Sequence, residues 1–270
     1  MRILIRTSKW AIWARRFASL AVPLIFIPVL LHRQRLIESD TFRVLALVAL
    51  VFSCLALLTS IVALVRLWYR GDHGWDRAIL ALVISLACLA PFVWHAMLAL
   101  QYPRATDIAT GPREGLPLAF DSATAAMRPP IMLSPSEAET VFPNATTRSY
   151  PLNAQQTYEL VRRLVEARGW EIQASRPPDG PDGEGLMNAR EATLIGSNEE
   201  AVIRVSSDSE GASVDMRSVS LNALHDFGSN GRRIEGFLIA LDQEVTELLR
   251  DNPNITEPII KTPTDADTAG

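Results

Sequence analysis

The stretch VLALVALVFSCLALLTSIVALV, Val44–Val65, runs for 22 residues without a charge between Arg43 and Arg66. A second, AILALVISLACLAPFVWHAMLAL, Ala78–Leu100, runs for 23 residues between Arg77 and the polar Gln101–Tyr102–Pro103. At the α-helical rise each is about 33–35 Å long, enough to cross a hydrocarbon core of roughly 30 Å. A helix on the surface of a soluble domain would carry charges along one face, and neither does. Both read as transmembrane spans, so one partner of this chain is the lipid bilayer.

Working outward, Phe17–Leu31 offers 15 apolar residues between Arg15–Arg16 and His32–Arg33, interrupted by Pro23 and Pro28. It reads as a short, Pro-bent first span whose flanking arginines snorkel, with a re-entrant or interfacial segment as the alternative. The run ends in Leu–Leu–His–Arg rather than a small-residue cleavage site, so it is not a signal peptide. Cys54 and Cys88 lie deep in the long runs with no lipobox before them.

With three spans and the N-terminus inside, Arg2, Arg6, Lys9, Arg15, Arg16, Arg66, Arg70 and Arg77 fall on the inner side. Arg33, Arg35, Arg43, Arg104 and Arg113 fall outside, the bias that the positive-inside rule expects. A two-span hairpin would give a stronger bias, ten against three, and a cytoplasmic C-terminal region. Three spans are preferred because fifteen apolar residues are buried more easily across a bilayer than on it.

Charge divides the chain at about the same place. Residues 1–105 carry twelve Lys/Arg and four Asp/Glu, whereas residues 106–270 carry fourteen and twenty-six. The basic part suits anionic headgroups, and the acidic part argues against nucleic acid as a partner. Arginine outnumbers lysine 24 to 2, the usage of a GC-rich bacterial genome. No cysteine lies beyond residue 88, and the only histidine of the soluble part is His225. The soluble part therefore has no disulfide, thiolate nucleophile or Cys-based metal site, and no cofactor is expected.

Seven prolines between Pro103 and Pro143, with little apolar periodicity, mark residues 106–146 as a linker. The acidic, Pro-containing tail 251–270 reads as disordered. Between them, residues 147–250 show a helix (Ala154–Arg168), four strands (Trp170–Ser175, Ala189–Ile195, Ala201–Ser206, Ala212–Val219) and a second helix (Arg232–Leu249). The fold class expected is thus a membrane domain, residues 1–105 with spans 17–31, 44–65 and 78–100, followed by a small α+β domain. Its antiparallel four-stranded sheet would carry two helices on one face.

Strand alternation sorts the side chains. Val214 and Met216 point one way, Asp215 and Arg217 the other; Ile203 and Val205 oppose Val202 and Arg204. The polar face would collect Arg204, Asp215, Arg217 and Glu191 or Arg190. Cross-strand ion pairs on a solvated sheet explain such a face, and a shallow site for a carboxylate, phosphate or lipid headgroup explains it equally in kind. The segment Leu224–Arg233, with Asp226, Asn230 and Arg233, is either a polar loop entering a helix or an anion-binding helix start. His225–Asp226 beside Ser218, Ser220 or Ser229 raises base chemistry, yet no G-x-S-x-G elbow is present. His95, close to the end of its span beside Trp94, reads as interfacial.

These segments carry a resemblance. Tyr150–Pro151, Gly169–Trp170, Glu191–Ala192–Thr193, Val202–Val205, Val214–Ser220 and Asp226–Asn230 leading to Arg233–Ile234 resemble the bacterial domain-of-unknown-function 1499 family over about residues 106–245. The resemblance implies an envelope location behind N-terminal spans and supplies no reaction. Asp215, Arg217, Asp226, Asn230 and Arg233 match its pattern. Leu221 stands where an arginine is expected, and Ile195–Gly196–Ser197 and Glu199–Glu200 replace an aromatic-flanked glycine and paired aspartates.

The function expected is that of an inner-membrane protein whose periplasmic domain meets an envelope protein or an anionic small molecule, through Arg204, Asp215, Arg217, Asp226, Asn230 and Arg233. The alternative is a membrane-tethered hydrolase or transferase acting on lipid or cell-wall precursors, which requires His225, Asp226 and a serine in one deep pocket.

Overall fold

The structure is a computed structural model and describes residues 7–119, 129–193, 196 and 198–252. Three helices, α1 (Lys9–Arg33), α2 (Ser39–Arg70) and α3 (Trp75–Gln101), are each long and apolar enough to cross a membrane. They pack through small residues. Ala11, Ala14, Ala18 and Ala21 on α1, Ala49, Ser53, Ala56, Ser60 and Ala63 on α2, and Ala78, Ala81 and Ser85 on α3 are all fully buried. Their alternating three- and four-residue spacing traces one seam along each helix, the pattern of close left-handed packing. The large side chains point outward: Leu47, Val51, Leu58, Ile61, Val83 and Leu86 are all exposed. A bundle with its small residues inside and its bulky ones outside is stable only where the surroundings are as apolar as the side chains.

The first helix extends beyond the apolar run that marked it. The residues expected as a span, 17–31, lie within a longer continuous 25-residue helix that runs through Pro23 and Pro28. Proline removes one donor and is tolerated in such helices. Arg15 and Arg16 lie exposed on its surface instead of ending it, Arg16 stacking over Trp13 at 5.1 Å.

The C-terminal domain is an α+β domain with a six-stranded antiparallel sheet, not a four-stranded one. Its centre is the expected meander: β3 (Glu171–Arg176), β4 (Glu184–Ala192), β5 (Asn198–Asp208) and β6 (Gly211–Ser220). Two three-residue strands, β1 (Asp107–Ala109) and β2 (Arg148–Tyr150), lie end to end along the free edge of β6. Such short pairings leave no periodicity for a sequence reading to detect. β5 and β6 join through Ser209–Glu210, with Asp208 opposite Gly211. Gly211 has φ 141°, and a Cβ there would collide with the carbonyl of Tyr150, so the turn needs glycine.

Helices α5 (Ala154–Ala167) and α6 (Ser229–Asp251) cover one sheet face. Tyr158, Val161 and Val165 of α5 and Ile234, Phe237, Leu238 and Leu241 of α6 pack onto Met187, Ile203, Val205, Val214 and Met216. Asn153 begins α5 with a reciprocal capping box to Gln156. A short helix, α4 (Pro135–Val141), ends in Phe142, which stacks on Tyr102 just beyond α3.

The segment expected as a linker, 106–146, is part of this domain where it is described. Ile108, Leu133 and Phe142 enter the helix-side core, and residues 110–119 cross the opposite sheet face. There Leu116 and Leu118 pack on Val202, Val219 and Leu221. Prolines gave the strap its extended course, and a few isolated leucines suffice to anchor it. The tail from residue 253 onward, expected to be disordered, lies outside the described residues.

Candidate functional site

The polar sheet face exists, but the strap closes it. Arg217 projects from β6 and holds the carboxylate of Asp107 with Nε and Nη2, at 3.1 and 2.8 Å, while its Nη1 donates to the carbonyl of Leu116 at 2.9 Å. Arg113 adds a third contact to Asp107. One strand over, Arg204 donates to Asp215 at 2.6 Å, and the Thr110 and Thr147 hydroxyls donate to the other oxygen of Asp215. Asn188 bridges the Pro117 carbonyl and Glu200, which also accepts from the Ala119 amide. Arg204, Asp215 and Arg217 are therefore committed to fastening the strap. Asp215 lies 5 % exposed and Asp107 is fully buried.

Glu191 is not on this face. Met187 and Ala189 of β4 enter the helix-side core, so Glu191 also points to the helices, where it pairs with Arg233. The alternation was right, but its phase along β4 placed Arg190 rather than Glu191 opposite the helices.

Asp226, Asn230 and Arg233 do come together, in a second buried network. The Asp226 carboxylate accepts the amides of Gly228 at 2.9 Å and Asn230 at 3.2 Å, together with the Asn230 side chain. Asn230 is fully buried and reaches Ser218, Ser220 and the Thr106 carbonyl. Arg233 joins Glu191, Glu199, Ser218 and the Asn230 side chain. Burial pushes the Asp226 carboxyl above the ordinary carboxylate range, against the pull of the amides from Gly228 and Asn230. Burial likewise lowers Arg233, with Glu191 opposing. This lattice fixes the start of α6 to β1, β4, β5 and β6.

On the outer side of the network lies an open cleft of about 440 Å³, lined by Arg168, Trp170, Glu191, Ser229, Arg232 and Arg233. Arg168 closes α5 and stacks over Trp170 and Phe237 while donating to the Gly236 carbonyl at 2.6 Å. Arg232 is exposed and lies 5.0 Å from the centre of the Tyr102 ring. Among the described residues no carboxylate is within ion-pairing distance of either guanidinium, whereas Arg233 is fully engaged. Trp170 belongs to the Gly169–Trp170 pair that carries the family resemblance, but nothing local marks it or Arg168 as lining a cleft. They reach the cleft through long-range packing of α5 against α6, which no sequence pattern announces. Arg232 was legible as a charge at a helix start.

The constellation that a hydrolase needs is not assembled. His225 Nδ1 accepts the amide of Phe227 at 2.9 Å, both oxygens of Asp226 are taken, and Ser218 and Ser220 turn toward Asn230. His225 stacks on Phe227, which meets His95 of α3 edge-on at 5.1 Å, so this loop sits on the helix end. Among the described residues no group of three His, Cys, Asp or Glu is placed to hold a metal.

Fold and site thus define a class: a bundle of three membrane-length helices bearing a six-stranded α+β domain with helices on one sheet face and a strap across the other. Residues 118–241, the C-terminal soluble part of the chain, match the model of the family described as protein of unknown function (DUF1499). No curated protein and no solved structure matches the chain. Leu221, where the family resemblance suggested an arginine, is 9 % exposed and fills the apolar cluster beneath the strap.

Proposed function

We propose that this is a bacterial inner-membrane protein whose C-terminal domain lies on the periplasmic side and works as a non-catalytic binding module for an anionic ligand or an envelope partner. The observation that carries this reading is the cleft at the start of α6, where, among the described residues, Arg168 and Arg232 have no carboxylate in direct ion-pair contact, Glu191 of the same lining being held by Arg233 and acting on Arg168 only at longer range. Elsewhere in the domain the arginines first expected to bind are consumed internally: Arg204 by Asp215, Arg217 by Asp107, Arg233 by Glu191 and Glu199. Arginine forks recognise carboxylates and phosphates by paired hydrogen bonds, and a free one beside a cleft is a recognition group in waiting. The ligand site therefore moves from the sheet face to the helix edge, with Arg233 as its framework.

The reading is tested with the full-length protein in neutral detergent, by following its melting temperature against sulfate, phosphate and citrate at constant ionic strength. Stabilisation that saturates, and that vanishes in Arg232→Gln, supports an anion site. A response identical in Arg232→Gln would place the effect elsewhere and remove the proposal.

A further inference from the structure

The cleft lies at the bundle-facing edge of the domain. Arg232 rests on Tyr102, the residue directly after α3, and Gly228, next to cleft residue Ser229, is so close to the same ring that a Cβ would collide with it. Phe227 reaches down to His95 inside α3. On the far side, β4 carries Glu191 toward Gly196, which packs on the backbone of His32 and Arg33 at the end of α1. The ends of α1 and α3 lie on one side of the bundle, so these contacts bracket the cleft at the level where hydrocarbon gives way to headgroups. Leu100, at 90 % exposure, and Trp94 mark that boundary on α3.

The chemistry of the cleft selects its occupant further. The amides at the start of α6 are already spent on Asp226, so the helix end itself has little to offer an anion. What remains is a pair of guanidiniums from two different elements beside the indole of Trp170, Arg168 having one donor already on the Gly236 carbonyl and Glu191 of the same lining being paired with Arg233, in a space within the range of about 300–1,000 Å³ usual for small-molecule sites. Two forks facing one opening suit an anion with two unesterified oxygens, which a phosphodiester and a carboxylate both offer, and it is the position of the cleft at headgroup level that favours the phosphodiester. The same membrane face carries Arg33, Arg35 and Arg104, with Arg43 paired to Asp40 and Glu38 nearby, a modest net basic rim that draws anionic lipid toward the cleft.

Resting on the anion-binding reading above, we infer that the cleft formed by Arg168, Trp170 and Arg232 holds the phosphodiester of an anionic phospholipid from the leaflet into which α1 and α3 emerge. The lipid would tie the domain to its own membrane face and complete the surface between α5 and α6. A free phosphate ester has the same chemistry, and the experiment separates the two sources.

Full-length protein in nanodiscs of phosphatidylcholine doped with phosphatidylglycerol is released into neutral detergent, and the retained lipid is weighed by native mass spectrometry. The expected result is retained phosphatidylglycerol, reduced about tenfold or more in Arg232→Gln, the loss of one charge-assisted fork. Phosphatidylcholine has the same phosphodiester but adds a choline cation that the guanidiniums repel, so its retention should be lower and should change less. Arg168 also holds Gly236, so Arg168→Lys, which keeps charge and stem, serves beside Arg168→Gln as the check on folding. Equal phosphatidylglycerol retention in Arg232→Gln overturns the inference. So does an Arg232-dependent melting shift with glycerol phosphate and no lipid preference, which would keep the anion site but make its ligand soluble. An absence of both responses would end the lipid proposal and the anion reading together.

Discussion

Arg217 and Arg232 are both arginines of one domain, yet their surroundings give them opposite mutational signatures. Arg217, with its side chain 12 % exposed, is held against Asp107, whose side chain is 1 % exposed. Removing one partner of such a pair leaves a buried charge, and the cost is typically about 3–5 kcal/mol. Arg113 still touches Asp107, so Arg217→Ala should fall near the lower end of that range, read as a lower melting temperature of the detergent-solubilised protein. Arg232→Ala should change stability by no more than about 0.5 kcal/mol, as exposed substitutions do, while removing anion binding. Equal destabilisation by the two would contradict the division between strap and cleft. Asp226 adds a pH signature. Its folded-state pKa is raised, so its contribution to stability is complete below the ordinary carboxylate range and is lost as pH rises through the raised value. Asp226→Asn cannot ionise. Subtracting its melting curve from that of the wild type across mildly acidic pH should leave a component that falls as pH rises, and parallel curves would show that burial is outweighed by the amides.

The elements differ in how far the chain announced them. β3 to β6 and the helices α5 and α6 were legible because each is long enough to display a period: Ile203 and Val205 against Arg204, or Ile234, Leu238, Leu241 and Val245 along α6. β1 and β2 were not, because three residues carry no alternation and their strand character comes entirely from the edge of β6. The strap was misread for a related reason. Proline density says that a segment is not helical, and nothing about whether it is packed; the clue was Asp107, Leu116 and Leu118, partners in kind for an arginine-and-valine face. The polar face was correctly collected by alternation, but its exposure could not be read without knowing what covers it. Two substitutions test these elements. Leu116→Ala, at a fully buried position, should cost about 2–5 kcal/mol if the strap is integral to the domain, and a cost near zero would return residues 110–119 to the status of a linker. Gly211→Ala combines positive φ with a collision against the Tyr150 carbonyl, so it should destabilise by more than about 1 kcal/mol and loosen β2 from β6.

For the molecule as a whole, the distribution of charges and aromatic rings along the bundle supports the proposed side of the membrane for the domain. Trp10, Trp13, Trp68, Tyr69 and Trp75 are exposed at the end of the bundle away from the domain, with Arg66 stacked over Trp10. The same end carries Arg15, Arg16, Arg70 and Arg77. Aromatic rings mark an interface and basic residues favour the cytoplasmic one, so three membrane-crossing helices should leave the domain outside. Cysteines placed at the exposed Ser207 and Glu247 test this in intact cells with a membrane-impermeant maleimide. Cys54 and Cys88 sit within α2 and α3, one turned outward and one buried, where lipid and packing keep them from an aqueous reagent. Labelling before lysis is the expected outcome and limits the lipid in the cleft to the outer leaflet. Labelling only after lysis would put the domain in the cytoplasm. The basic rim of Arg33, Arg35 and Arg104 would then become the inner-facing charge, and the cleft would draw on the anionic lipids of the inner leaflet.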